Sequence, residues 1–189
     1  SVAGVRVLFD GIPAPIVYVS ATQTAAVTPY FGAINPTTHV QVEYQGVRSD
    51  PLQVTVAPTA PGLFTANASG TGQGAILNQD GITHNSAGAP ASRGSIVSLW
   101  GTGEGITDPP GVDGRLAISV LPAPVAQVSV QIGGQTAVVK YAGAAPGLMP
   151  GVIQINAEIP QSVVPGNAVP VTVTIGGATS QAGVTMAVN

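Results

Sequence analysis

Apolar side chains fall at every second position along much of this chain. Val5, Val7 and Phe9 alternate with Arg6, Leu8 and Asp10, the period of a strand with one buried face. Asp10-Gly11 marks a tight turn, because glycine accepts the positive φ that short hairpins require. Residues 15–19 predict a returning strand. Residues 22–28 predict a third, closed by Pro29, which has no N–H to donate to a ladder. Residues 30–37, with Gly32 and Asn35-Pro36, predict a loop, and 39–44 and 52–56 predict two further strands joined through Gly46. That makes five strands and no helix in the first 57 residues.

Residues 57–61, Ala-Pro-Thr-Ala-Pro, read as a short stiff connector. Beyond it, 63–66 and 75–78 predict short strands separated by Gly70, Gly72 and Gly74, and Asp80-Gly81 predicts a turn. Residues 94–101 predict a compact strand ending in a glycine corner, with Trp100 buried alongside Ser98 and Ile96. Residues 106–113, rich in proline and glycine, predict an exposed loop.

The pattern of the first 57 residues then returns. Val5, Gly11 and Tyr18 recur as Val128, Gly134 and Tyr141, a constant displacement of 123 residues. Gln23, Pro29, Val40, Val42, Gly46 and Ser49 recur as Gln154, Pro160, Val171, Val173, Gly177 and Ser180, displaced by 131. The step between the offsets is an eight-residue insertion near residues 145–152. One further step places Leu52, Val54 and Val56 on Val184, Met186 and Val188. Turns agree as well as strands, so shared composition does not account for the match.

Composition narrows the class. Hydrophobic residues make up 44% of the chain but aromatics only 4%, so the core is aliphatic. Charged residues are 7%, far below the usual quarter of a soluble domain. Five cations against eight acids leave a net charge of −3, which argues against a surface that tracks phosphates and hence against nucleic acid as a partner. Cysteine is absent, removing disulfides and thiolate metal sites. No apolar run approaches the ~20 residues of a helical membrane span. The chain starts at Ser1, without start methionine or signal peptide, and is expected to be a processed product or part of something longer.

The segment Gly94-Ser-Ile-Val-Ser-Leu-Trp-Gly-Thr-Gly, residues 128–134, Gln154-Ile-Asn-Ala-Glu-Ile-Pro160, and residues 171–177 and 184–188 together resemble an immunoglobulin-like domain of the IPT/TIG type. More closely, they resemble the uncharacterised domains found in large exported proteins of acidobacteria. The resemblance covers nearly the whole chain and implies an all-β fold of tandem Ig-like β-sandwich units. It brings no catalytic residues with it. Residues 1–57 would be an incomplete unit containing late strands only, and 58–189 a complete unit preceded by a β-hairpin extension.

The second unit has a leading segment, roughly residues 58–127, that the first lacks. The first unit would therefore present an unpaired edge and an uncovered apolar face, here assigned to Val5, Val7, Phe9, Ile16 and Tyr18 as an interaction surface. The missing strands could precede this chain in a longer parent. Residues 63–78 could instead fold back to supply them, or a neighbouring molecule could donate a strand. The low charge suits the last reading, because a surface buried against copies of itself is not kept soluble by charge.

Candidate chemistry is sparse. Gly101-Thr-Gly-Glu-Gly105 resembles a phosphate loop, but Pro109-Pro110 forbids the helix such a loop needs behind it, and it reads as a glycine corner. Glu104, Asp108 and Asp113 are the densest acids and form a weak candidate site for Ca²⁺, without the spacing of a known calcium loop. The two histidines, His39 and His84, stand apart from any Gly-x-Ser-x-Gly elbow, and no pair among the eight acids is singled out for glycosidase chemistry. Asn67-Ala68-Ser69 matches a glycosylation sequon in form and reads as a turn. The expectation is a non-catalytic structural module without a cofactor, extracellular or on a bacterial cell surface, self-associating or joining neighbouring domains through its open edge. A carbohydrate- or protein-binding adhesion module using the loops at one sandwich end is the alternative.

Overall fold

The computed structural model of this 189-residue chain describes residues 1–30 and 35–189, and every named element in it is a β-strand. Half of the loop expected at 30–37, residues 31–34, lies outside the described residues, and its last residue, Thr37, already belongs to a strand. Near the N-terminus, β1 (Val5–Phe9) pairs with β2 (Ile12–Pro13) across the Asp10-Gly11 turn, both of whose residues have positive φ. Its other edge pairs with β5 (Thr37–Tyr44), which also carries β6 (Val47–Arg48) and β7 (Leu52–Thr55). A separate hairpin is formed by β3 (Ile16–Val19) and β4 (Thr24–Ala26), which among the described residues pair only with each other. The strand expected at 15–19 therefore does not return along β1. Pro13 and Pro15 lack N–H groups and interrupt the ladder after β2, and the chain re-forms as β3 against β4.

The larger sheet follows the order β10 (Ile76–Leu77), β11 (Ile96–Thr102), β16 (Ile153–Glu158), β15 (Gln135–Ala144), β14 (Val128–Ile132), β17 (Gly166–Ile175), β19 (Val184–Val188) and β9 (Gly72–Gln73). Two short strands attach beside it, β8 (Gly62–Leu63) on β11 and β18 (Ala178–Thr179) on β17. Residues 62–77 thus pair with β11 and β19, so they do not complete the N-terminal sheet. β15 bends the sheet on itself: its start pairs with β14, the rest with β16. The inward side chains of both halves, among them Val97, Leu99 and Ile155 against Val130, Val173 and Met186, form one aliphatic core, compatible with a β-sandwich.

Within β11 the alternation is the reverse of that expected. Val97, Leu99 and Gly101 point inward and are buried, leaving Ile96, Ser98 and Trp100 half-exposed on the outer face. A period-two pattern specifies two faces but not which is covered, and here the branched Val97 and Leu99, beside Ile155 of β16, fill the gap against Val130, Val173 and Met186. The loop expected at 106–113 contains a short strand, β12 (Thr107–Asp108), paired with β13 (Ala123–Pro124).

The two regions linked by the sequence repeat share cross-strand register. Val5↔Tyr44, Val7↔Val42 and Phe9↔Val40 correspond to Val128↔Ile175, Val130↔Val173 and Ile132↔Val171. Thr38↔Val54 corresponds to Val169↔Met186. The bulge between Ile16 and Tyr18 on β3 corresponds to the one between Val139 and Tyr141 on β15. A side-chain contact repeats too: the Val42 and Val173 amides donate to the hydroxyls of Ser49 and Ser180, each at 3.1 Å.

Candidate interaction surface

Cross-strand pairing puts Val5, Val7 and Phe9 on one face of the N-terminal sheet with Val40, Val42 and Tyr44. Leu52, opposite Val40, extends this face across β7. Together with residues 19–24 and Ala26 of the β3–β4 hairpin, the first six line a groove of about 890 Å³ with no charged side chain in its walls. Val42 is 42% exposed whereas its counterpart Val173 is 1% exposed; for Leu52 and Val184 the values are 67% and 1%. The cause is visible in the larger sheet. There β11 and β16 lie over the face formed by β14, β17 and β19, and nothing equivalent to β11 lies over β1, β5 and β7 among the described residues.

Of the interaction residues expected from sequence, Val5, Val7 and Phe9 line the groove, the two valines nearly buried at its floor. Ile16 and Tyr18 lie on β3 outside the lining, and Tyr18 donates its hydroxyl to Gln23 Oε1 at 2.8 Å. Sequence reasoning missed the contribution of β5 and β7. The signal was present in the repeat, since Val40, Val42, Leu52 and Val54 align with core residues of the second copy.

Glu104, Asp108 and Asp113 do not converge on a shared ion site, and no cluster able to hold a metal occurs among the described residues. Instead, Glu104 and Asp113 both hold Tyr30. The Tyr30 hydroxyl donates to Glu104 Oε1 at 2.8 Å, and its backbone N–H donates to Asp113 Oδ1 at 3.1 Å. Asp108 sits exposed on β12. Close backbone approaches fit the same junction: a Cβ on Gly111 would run into the Tyr30 ring, and one on Gly151 into Val27. Gly151 lies in the eight-residue insertion, which thereby becomes part of the seat for residues 27–30.

Among the described residues Glu104 is the one fully buried acid at this junction, 2% exposed, and its Oε2 meets no hydrogen-bond partner there. Burial holds its carboxyl above the ordinary range, and the Tyr30 hydroxyl and Gly151 amide only partly offset that. Burial and the neighbouring Glu104 charge in turn raise the Tyr30 phenol well above its ordinary value, so at neutral pH it stays a donor.

The opposite face of the N-terminal sheet carries an ion group. Glu43 accepts from Arg6, and its Oε2 from Arg48 Nε at 2.9 Å. The hydrogen bonds from Arg6 and then Arg48 hold its carboxyl below the ordinary range. In the second copy the same positions are Ser129, Thr174 and Thr179, the two threonine hydroxyls 3.0 Å apart. Asp10 accepts from the His39 and Thr38 groups beside it, bracing the turn. No helix among the described residues is long and apolar enough to cross a membrane. Comparison with protein-family models, curated proteins and solved structures finds no match to this chain.

Proposed function

We propose that this chain is a non-catalytic structural module of an extracellular or cell-surface protein. In this reading, residues 1–57 and 58–189 are tandem Ig-like sandwich units. The first lacks its leading strands within this chain and is completed by a strand from a neighbouring molecule. The observation that carries it is the repeat acting as an internal control: Val42, Tyr44 and Leu52 are open where Val173, Ile175 and Val184, their counterparts in the same register, are sealed. Fully burying a valine or leucine contributes roughly 1.5–3 kcal/mol, so covering Val42 and Leu52 supplies a real drive to associate. The sparse charge, 7% of residues, leaves little to keep such faces apart.

Sedimentation velocity across a concentration range, followed by electron microscopy, tests this directly. Concentration-dependent growth into ordered chains supports the reading; a single monomeric species up to high concentration overturns it. The half-exposed Trp100 favours one alternative, an adhesion module that stacks a sugar on its indole. Saturable quenching of tryptophan fluorescence by a glycan, with the protein remaining monomeric, would select that alternative.

A further inference from the structure

The repeat specifies the address of the absent strand, and the chain itself contains a segment suited to fill it. In the larger sheet β11 runs antiparallel to β16, with Val97 opposite Ala157 and Leu99 opposite Ile155. The counterpart of β16 is β4, whose residues Ala26 and Thr24 occupy the positions of Ala157 and Ile155. Among the described residues β4 pairs only with β3, leaving its outer edge unpaired, and Thr22, Thr24 and Ala26 stand on the groove wall. A strand entering there would run antiparallel to β4 and point alternate apolar side chains at Val7 and Val42.

β11 of another molecule cannot be that strand, because it is central in its own sheet, held by β10 and β16. Leu116-Ala-Ile-Ser-Val120 is different. Leu116, Ile118 and Val120 recur at period two and are all exposed, Ile118 by 76%, and the segment belongs to no strand. It lies in the loop whose base is clamped by the β12–β13 pair. Ala117 is tied to Gly147 and Leu148 through its backbone, but the amides of residues 118–121 find no acceptor among the described residues. Ile118 and Ser119 form a bend that straightens if the segment adds to a sheet. Neither Leu116–Val120 nor the groove wall contains a charge, so nothing charged is desolvated when one enters the other.

We infer that residues 116–120 of one copy add as a strand to the outer edge of β4 in a second copy, with Leu116 opposite Ala26, Ile118 opposite Thr24 and Val120 opposite Thr22. Val120 would take the place that Gly101 holds in β11. There a Cβ would lie 2.6 Å from the Gly62 carbonyl of β8; the groove has no β8 counterpart, so a valine is admitted. Donor and acceptor are different surfaces of the molecule. The contact is therefore heterologous and propagates into chains or rings. This inference rests on the proposed assembly function and names the partner as a second copy.

The absence of cysteine makes a clean test possible. Directly opposed residues in a sheet lie within disulfide range, so Thr24→Cys and Ile118→Cys proteins, mixed and oxidised, should cross-link with each other at least tenfold faster than either does alone. Ile118→Asp, at an exposed site, should leave the monomer folded and abolish growth in sedimentation. If polymers persist in Ile118→Asp and the mixed pair does not cross-link, this inference is overturned while assembly by another donor stands. If the unmodified protein is monomeric and no cross-link forms, both fall. A doubly substituted protein that links within a single monomer overturns the second copy as donor.

Discussion

Glu104 shows how one side chain ties two regions together at a cost. Its Oε1 accepts the Tyr30 hydroxyl, while Oε2 is buried without a partner, and burial raises its pKa. The native state therefore binds its proton more tightly than the unfolded chain does. Its own contribution to stability is most favourable below the ordinary value of 4.5 and falls as pH rises through the window between that value and the raised native one. Glu104→Gln keeps an acceptor for Tyr30 and removes the charge, so it should flatten this decline and raise the melting temperature at neutral pH, measured by calorimetry at several pH values. Tyr30→Phe should destabilise by about 1–3 kcal/mol in chemical denaturation, because it removes the side-chain donor from a buried carboxylate. Glu43 behaves oppositely. Its lowered pKa supports stability above the ordinary carboxylate range and loses it as pH falls, so Glu43→Gln should remove that acid-side loss. From sequence, Glu104 read as one of three loop acids; nothing local indicates that it faces a tyrosine 74 residues away.

At the scale of elements, the same strand pair occurs twice with different neighbours, which allows a matched comparison. Val173→Ala in β17 opens space in a sealed core and should cost about 2–3 kcal/mol. Val42→Ala in β5, half in solvent, should change the stability of the dilute protein by no more than about 0.5 kcal/mol. Denaturant titrations of the two variants measure the difference. An equal loss in both would mean that the groove is closed in solution. The alternating patterns of β1, β5, β14 and β17 were legible because period two is written directly in residue order. The orientation of β11 was not, since Trp100, Ser98 and Ile96 alternate as regularly as Val97 and Leu99. The break between β2 and β3 was signalled by Pro13 and Pro15, yet its outcome depended on which edge was left for β3 to meet.

For the whole molecule, the proposed association through an open face would make stability a function of concentration. Binding that favours the folded state raises its apparent stability by mass action. The melting temperature should therefore rise with protein concentration, and Val42→Asp, which places a charge in the groove, should remove that dependence while changing the dilute melting temperature little. Differential scanning calorimetry over a hundredfold concentration range decides it.

Residue order alone determined the all-β class, the turns, the aliphatic core and a repeat whose offsets carry over to cross-strand register and even to a bulge. These are local properties of period, glycine and proline placement, written twice. Tertiary structure decided what each copy of the pattern meets. Val173 and Val42 have the same identity, equivalent serine partners and equivalent cross-strand neighbours, and only one of them is covered. Burial is set by the sheet across the core, through contacts far apart in the chain, and no single strand encodes it. The same holds for Leu116, Ile118 and Val120, whose alternation becomes informative once the fold leaves them exposed and, among the described residues, the outer edge of β4 unpaired.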